Sequence, residues 1–232
     1  MHDIGINNVS VAGDTRFDRV SQIAASANEL PVIEKFRGAE RLFLAGSSWK
    51  PDEEIIARFI NSDPARMKWV FAPHEIDKPN IERLEKLFKT DVVRYSEFNE
   101  ESHKARVLII DNIGILSSAY RYAYIASVGG GFGKGIHNIL EPACWGIPVL
   151  FGPNHDKFRE AVELKKDGGA KSFVNYVDFE ISINEWLTDN KLYSEAAKAA
   201  GKYIKENTGA TDIIIKEIGL TCIIHAEDKR QK

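Results

Sequence analysis

Residues 128–141 read Val128-Gly129-Gly130-Gly131-Phe132-Gly133-Lys134-Gly135-Ile136-His137-Asn138-Ile139-Leu140-Glu141. The apolar run before them, residues 122–127, predicts a buried strand, and the apolar spacing of residues 139–144 predicts a helix that begins at Asn138. A strand, a glycine loop and a helix in this order present free backbone N–H groups to an anion. Glycine also lets a ligand approach the backbone closely. The run therefore predicts a phosphate-binding loop, with a tight turn into a capped helix as the plainer alternative.

Side chains of the same run add candidate ligand contacts. Lys134 and His137 can supply donors or positive charge, although Lys134 could equally be a solvated surface lysine. Asn138 is a plausible helix N-cap, and Glu141 could close a capping box or accept hydrogen bonds from ligand hydroxyls. Ser47 and Ser48, which precede another predicted helix, are further candidates for contact with the phosphate. The predicted phosphate site comprises Gly130, Gly131, Gly133, Lys134, Gly135, His137, Ser47 and Ser48.

Composition places the chain among ordinary globular proteins and excludes several classes of function. Of its 232 residues, 44% are hydrophobic and 28% charged, and the length allows one large domain or two small ones. The net charge of −3 provides no global field for nucleic acid or an anionic membrane surface. The 2 cysteines cannot form a disulfide framework, and no apolar run approaches the roughly 20 residues of a spanning helix. No His/Cys cluster or Asp-x-Asp motif indicates a metal.

The order of predicted elements indicates a doubly wound α/β fold with a parallel, Rossmann-like sheet. Continuous apolar strands alternate with helices at least five times. Residues 9–12 also predict a short strand, and residues 46–51 predict a loop before a helix with an acidic first turn. Trp49, in that loop, is expected to be a packing residue. Ligands bind such sheets at the carboxyl ends of the strands, so one rim should gather the loops that begin at Gly46, Pro73, Asp111, Gly129 and Gly152.

Several motifs resemble those of one known family. The run from Gly133 to Val149, which contains His-Asn-Ile-Leu-Glu-Pro, closely resembles the 3-deoxy-D-manno-octulosonic acid (Kdo) transferases of lipopolysaccharide synthesis. Residues 13–20 are similar to the segment that joins the two halves of that family. Residues 46–48, 72–74 and 111–116 also fall where family motifs fall. The likeness extends from about Gly13 to Ile218.

The resemblance implies a GT-B fold, in which two Rossmann-like halves face each other across a cleft, and transfer of Kdo from CMP-Kdo to lipid A precursor. It further implies that this chain is the nucleotide-binding C-terminal half, since residues 6–11 read like the interior of a polypeptide. The glutamate base, the membrane anchor and most of the acceptor site would belong to the other half. The whole protein would act at the cytoplasmic face of the bacterial inner membrane without a cofactor, and this fragment would be soluble and inactive alone. The expected divisions are a linker at 1–16, the CMP-sugar-binding domain at 17–218 and a tail at 219–232.

The family's nucleotide contacts carry over, by the same resemblance, to nine positions. Two positions depart from the family pattern. Many members have arginine where this chain has His74, and histidine is charged only in part near neutral pH. Ile115 replaces a glutamate, so a contact there would be apolar or made by the backbone. The nine positions are Pro73, His74, Gly114, Ile115, Leu116, Asn138, Ile139, Leu140 and Glu141.

Two other functions remain open at this point. The chain could be the donor-binding half of another GT-B enzyme that uses a UDP-sugar, although a diphosphate would need more cationic partners than the predicted rim offers. It could also be a non-catalytic α/β binding module, in which the glycine loop only turns the chain.

Overall fold

A single parallel sheet of seven strands forms the centre of the protein, and the computed structural model describes residues 9–219 of it. The strands lie in the order β3-β4-β2-β1-β5-β6-β7, and every neighbouring pair is parallel. The predicted doubly wound α/β fold is confirmed. The strands are β1 (Leu42–Ser48), β2 (Lys68–Pro73), β3 (Val92–Arg94), β4 (Val107–Ile109), β5 (Ile125–Val128), β6 (Val149–Phe151) and β7 (Ala170–Ser172).

Helices cover both faces of the sheet and create two apolar cores. Leu42 and Leu44 of β1 pack on one face, whereas Phe43 and Ala45 pack on the other, and all four are essentially inaccessible to solvent. Burial on both faces explains why the strands are continuous apolar runs rather than alternating ones. The helices are α1 (Thr15–Ala25), α2 (Pro31–Arg37), α3 (Lys50–Ser62), α4 (Lys78–Glu85), α5 (Leu116–Ala119), α6 (Leu140–Cys144), α7 (Arg159–Lys166), α8 (Tyr176–Thr188), α9 (Asn190–Asn207) and α10 (Ala210–Glu217).

The strand order reverses between β1 and β5. From β1 the chain continues to β2 on one side of the sheet, while β5 and the strands after it extend the other side. The loops that leave β1 and β5 therefore separate at their carboxyl ends and open a crevice, which is where ligands bind in open α/β sheets. The loop after β5 is the glycine run, so the fold places that run at the crevice.

Three local predictions are wrong. Residues 9–12 are not in a strand, and Val11 is 90% exposed because no sheet edge covers it. Residues 46–48 belong to β1, whose register shifts between Gly46 and Ser48. The helix expected to begin at Asn138 begins at Leu140, so α6 is only five residues long.

The expected domain boundaries fall partly outside the described residues. The linker at 1–16 is described only from residue 9, and α1 already begins at Thr15 because Asp14 caps it by accepting a hydrogen bond from the Arg16 amide. Of the tail at 219–232, only residue 219 is described.

A buried ion pair between α3 and α4 provides a stability test. Glu53 is fully buried; it accepts a hydrogen bond from the Ser48 hydroxyl at 2.9 Å and pairs with Arg83. Replacing Arg83 with methionine leaves the carboxylate buried without its cation, so we expect Arg83→Met to lose about 2 kcal/mol of unfolding free energy. Urea unfolding measures the loss. Lys78→Met removes an exposed pair with Glu82 and should cost at most about 0.5 kcal/mol; equal losses for both variants would contradict the prediction.

Candidate functional site

The glycine loop after β5 packs directly against the end of β1. The Gly129 amide donates to the Gly46 carbonyl at 3.0 Å, and a Cβ on Gly129 would lie 2.2 Å from the Ser47 carbonyl oxygen. Ser47 itself has a positive φ of 47°, which is uncommon for a residue other than glycine. These contacts hold the glycine loop against the end of β1 at the base of the crevice.

Backbone amides of the loop divide into two groups. Within the loop, Gly133 donates to the Gly130 carbonyl at 2.9 Å and His137 donates to the Gly129 carbonyl at 3.0 Å. The Gly130 amide donates to the Asp52 carboxylate at 3.3 Å. These amides are therefore not available to a phosphate, contrary to the expectation of a fully open loop. The amides without a hydrogen-bond partner among residues 9–219 are those of Gly131, Phe132, Lys134, Gly135, Ile136, Asn138 and Ile139.

Most glycines of the loop are required by contacts within the protein. A Cβ on Gly131 would lie 2.7 Å from the Gly152 backbone, and one on Gly135 would lie 2.4 Å from the Phe158 ring. One on Gly130 would lie 2.5 Å from the Gly135 carbonyl oxygen, whereas one on Gly133 meets nothing closer than 3.5 Å. Close packing of the chain against itself therefore requires glycine at three of the four glycine positions of the predicted phosphate site, while ligand approach stays a prediction.

Asp52, in the first turn of α3, joins that helix to the glycine loop. Its Oδ2 accepts hydrogen bonds from the amides of Trp49 at 3.0 Å and Gly130 at 3.3 Å. The residue is 1% exposed, and its Oδ1 has no partner among the described residues. Burial raises the pKa of Asp52 to about 6, and the Glu53 charge adds to this, while the two amide hydrogen bonds act in the opposite direction.

Three aromatic rings stack beside Asp52. The Trp49 indole N–H donates to His137 Nε2 at 2.9 Å with the two rings nearly coplanar, and the His74 ring stacks on both, 4.5 Å from Trp49 and 4.6 Å from His137. Burial lowers the pKa of His137, and the neighbouring His74 lowers it further. Because Nε2 accepts a hydrogen bond, His137 is the neutral Nδ1–H tautomer. The expectation that His137 supplies positive charge is therefore corrected; it can supply a neutral donor.

A cavity of about 530 Å³ lies in front of these groups. Its volume is in the range of small-molecule sites. Concavities of about 890 and 740 Å³ are lined by residues of α1 and α9 and contain none of the predicted site residues. The rim cavity is lined mainly by Trp49, Asp52, Phe132, Lys134, Gly135 and His137.

A second polar group forms around Glu141, at the start of α6. One carboxylate oxygen accepts from the Ser117 hydroxyl at 2.9 Å, and the other accepts from the Asn138 side-chain amide at 3.1 Å. Asn138 in turn accepts from the Leu140 amide at 3.1 Å, so it does stabilise the start of the helix. The group connects α5 to the loop after β5, and Glu141 retains lone pairs for ligand hydroxyls.

The remaining predicted residues differ in what they can present to a ligand. Ser48 is 3% exposed and donates to Glu53, so its hydroxyl is not available. Ile139 and Leu140 are fully buried, and the Leu140 amide is occupied, so neither residue presents a group to a ligand. Pro73, the last residue of β2, is buried as well. Five others are more accessible: His74 and Lys134 are exposed, Gly114 has a φ of 95° at an exposed turn, and Ile115 and Leu116 are half-buried.

Sequence reasoning missed three residues of the site. The sequence favours a packing role for Trp49, places Asp52 in an acidic first turn, and offers no signal for Ser117. One signal for Trp49 and Asp52 was available in the sequence. Trp49 is at the N-cap position and Asp52 is the third helical residue, which is the spacing of a capping box. Among residues 9–219, no group of three His, Cys, Asp or Glu side chains could hold a metal ion, and no helix combines the length and hydropathy needed to cross a bilayer.

The parallel sheet, its strand order and the loops at the switch point define a Rossmann-like domain of the GT-B type. The chain is similar in fold to the C-terminal CMP-Kdo binding domain of WaaA from Acinetobacter baumannii, with a TM-score of 0.61 and 18% identity, over 81% of this chain and 97% of that one. No protein-family profile matches the sequence.

In sequence, the chain is a homologue of the 3-deoxy-D-manno-octulosonic acid transferases. The transferase of Aquifex aeolicus is 31% identical over 171 residues, which are 70% of this chain and 47% of that protein. The transferase of Chlamydia muridarum is 27% identical over 184 residues, which are 76% of this chain and 42% of that protein. The chain thus spans about half the length of these relatives, and the resemblance read from its motifs is confirmed.

Proposed function

We propose that this chain is the donor-binding domain of a Kdo transferase and that it binds CMP-Kdo at the rim between β1 and β5. The observation that carries the proposal is the set of unpartnered amides on accessible residues of the loop, at the switch point of a domain homologous to these transferases; they are those of Phe132, Lys134, Gly135 and Asn138. The names of the relatives do not favour a UDP-sugar enzyme or a non-catalytic module.

The chemistry of a CMP-sugar suits these groups. Its phosphodiester carries about one negative charge, and the departing CMP gains roughly one more in the transition state, which preorganised N–H donors stabilise. Free amides of the loop and exposed Lys134 can approach that phosphate. Glu141, held by Ser117 and Asn138, can accept from ribose hydroxyls.

Under the same proposal, the rest of the reaction uses a partner half. The glutamate base, the lipid A precursor site and the contact with the cytoplasmic face of the inner membrane would be contributed by that half. No metal or cofactor other than the CMP-Kdo donor enters the proposal.

Nucleotide titration tests the proposed function. We expect CMP to bind this chain more tightly than UMP or AMP in isothermal titration calorimetry, with a dissociation constant below about 1 mM, equivalent to about −4 kcal/mol. If all three nucleotides give no heat at millimolar concentration, the proposal is wrong.

Replacing Glu141 tests its role in the site. Glu141→Gln keeps the shape of the side chain but loses the charge, so we expect CMP affinity to fall about tenfold, the usual effect of one hydrogen bond to a charged group. Calorimetric titration of CMP measures the change. Glu195→Gln, an exposed carboxylate on α9, is the control and should bind CMP like the wild type; a Glu141→Gln variant that also does so contradicts the assignment.

A further inference from the structure

The chain's own carboxylate occupies an anion position beside the glycine loop. Asp52 accepts hydrogen bonds from the amides of Trp49 and Gly130, at 3.0 and 3.3 Å, at the start of the 13-residue helix α3. The Trp49 amide lies at the helix start and the Gly130 amide in the glycine loop, and amides at both kinds of place can bind a ligand phosphate. Here the protein fills that position itself, so fewer amides remain for a ligand.

The second oxygen of the same carboxylate accepts no hydrogen bond from the described residues. Asp52 is 1% exposed and lines the rim cavity, yet its Oδ1 has no partner among residues 9–219. That oxygen is itself buried, so Asp52 acts on a ligand in the cavity through its negative charge rather than through a direct hydrogen bond. A fully ionised phosphate offers only acceptors and negative charge there.

The positive charge available in the cavity is small. Among the described residues that line the cavity, Lys134 is the one with a cationic side chain, and it is exposed. His137 accepts a hydrogen bond from Trp49 through Nε2 and is neutral. One lysine and the free amides suit a single phosphate, whereas a second phosphate would meet the Asp52 charge without a further cation, in a cavity where charges are poorly screened.

We propose that Asp52 makes the donor site selective for nucleotides with one phosphate, because its buried carboxylate borders the cavity and repels the additional negative charge of a nucleoside diphosphate. The inference rests on the proposed function and adds a specificity-determining residue to it. Asp52 acts by repelling the additional negative charge of the wrong ligand.

Titration of CMP and CDP at about pH 8 tests the inference. We expect the wild-type chain to bind CMP at least tenfold more tightly than CDP. Asp52→Asn retains one oxygen for the Trp49 and Gly130 amides and replaces the other with a neutral donor, so the preference for CMP should fall at least tenfold. Glu54→Gln, an exposed carboxylate two residues further along α3, should keep the wild-type preference.

Each result bears on a different part of the inference. Equal or tighter wild-type binding of CDP overturns it without affecting the proposed function, which fails only if CMP does not bind at all. An unchanged preference in Asp52→Asn also overturns it. If that variant does not fold, Asp52→Ser gives the same comparison, since it also removes the charge.

Discussion

Gly129→Ala is expected to lose at least about 3 kcal/mol of unfolding free energy and to be recovered largely unfolded. An alanine Cβ would lie 2.2 Å from the Ser47 carbonyl oxygen and 2.7 Å from the Ser48 Cα. Both are backbone atoms of a central strand, so neither can move without disturbing β1. Overpacking usually costs roughly 1–3 kcal/mol. The loss here lies at the top of that range or above it, because backbone atoms cannot rotate away from the added Cβ as a flexible side chain can. Urea unfolding followed by circular dichroism measures the loss.

Gly133→Ala is the matched control for that variant. Gly133 belongs to the same loop, and its φ, like that of Gly129, lies outside the left-handed region, but the nearest atom to its added Cβ is 3.5 Å away. We expect a change within about 0.5 kcal/mol. Similar losses of unfolding free energy in Gly129→Ala and Gly133→Ala would show that contact with β1 is not what destabilises Gly129→Ala.

The second large effect is on the pH dependence of stability. The pKa of Asp52 is raised by burial to about 6 in the folded protein, so the folded protein binds this proton more tightly than the unfolded chain does. The contribution of Asp52 to unfolding free energy therefore falls as pH rises from about 4 to about 6 and stays low above that. A shift of about two pKa units corresponds to about 3 kcal/mol.

The comparison of wild type with Asp52→Asn isolates this contribution. Asparagine does not titrate, so the variant should gain about 3 kcal/mol relative to wild type between about pH 4 and about pH 8. Urea unfolding at both pH values measures the difference, with Glu54→Gln as the control for loss of a carboxylate from α3. A stability difference that is independent of pH would mean that Asp52 titrates alike in the folded and unfolded chains.

The importance of the glycine loop could be predicted from sequence, but its hydrogen bonding could not. The Gly130 amide is occupied by Asp52, which lies 78 positions away, and His137 is neutral because it accepts from Trp49, 88 positions away. Glu141 was identified from its motif, whereas its partner Ser117 was not, since 24 positions separate them. Contacts of this kind depend on which loops the sheet brings together.

The sequence by itself determined the alternation of apolar strands and helices, the parallel sheet they imply, the position of the glycine loop and the family it resembles. These properties follow from side-chain periodicity and short motifs, which act locally along the chain. Only the tertiary structure decided which amides remain free, that Ser48 is buried and that Asp52 lines the cavity. The reason is physical: hydrogen bonding and burial are settled between strands β1 and β5, which are adjacent in the sheet but distant in sequence.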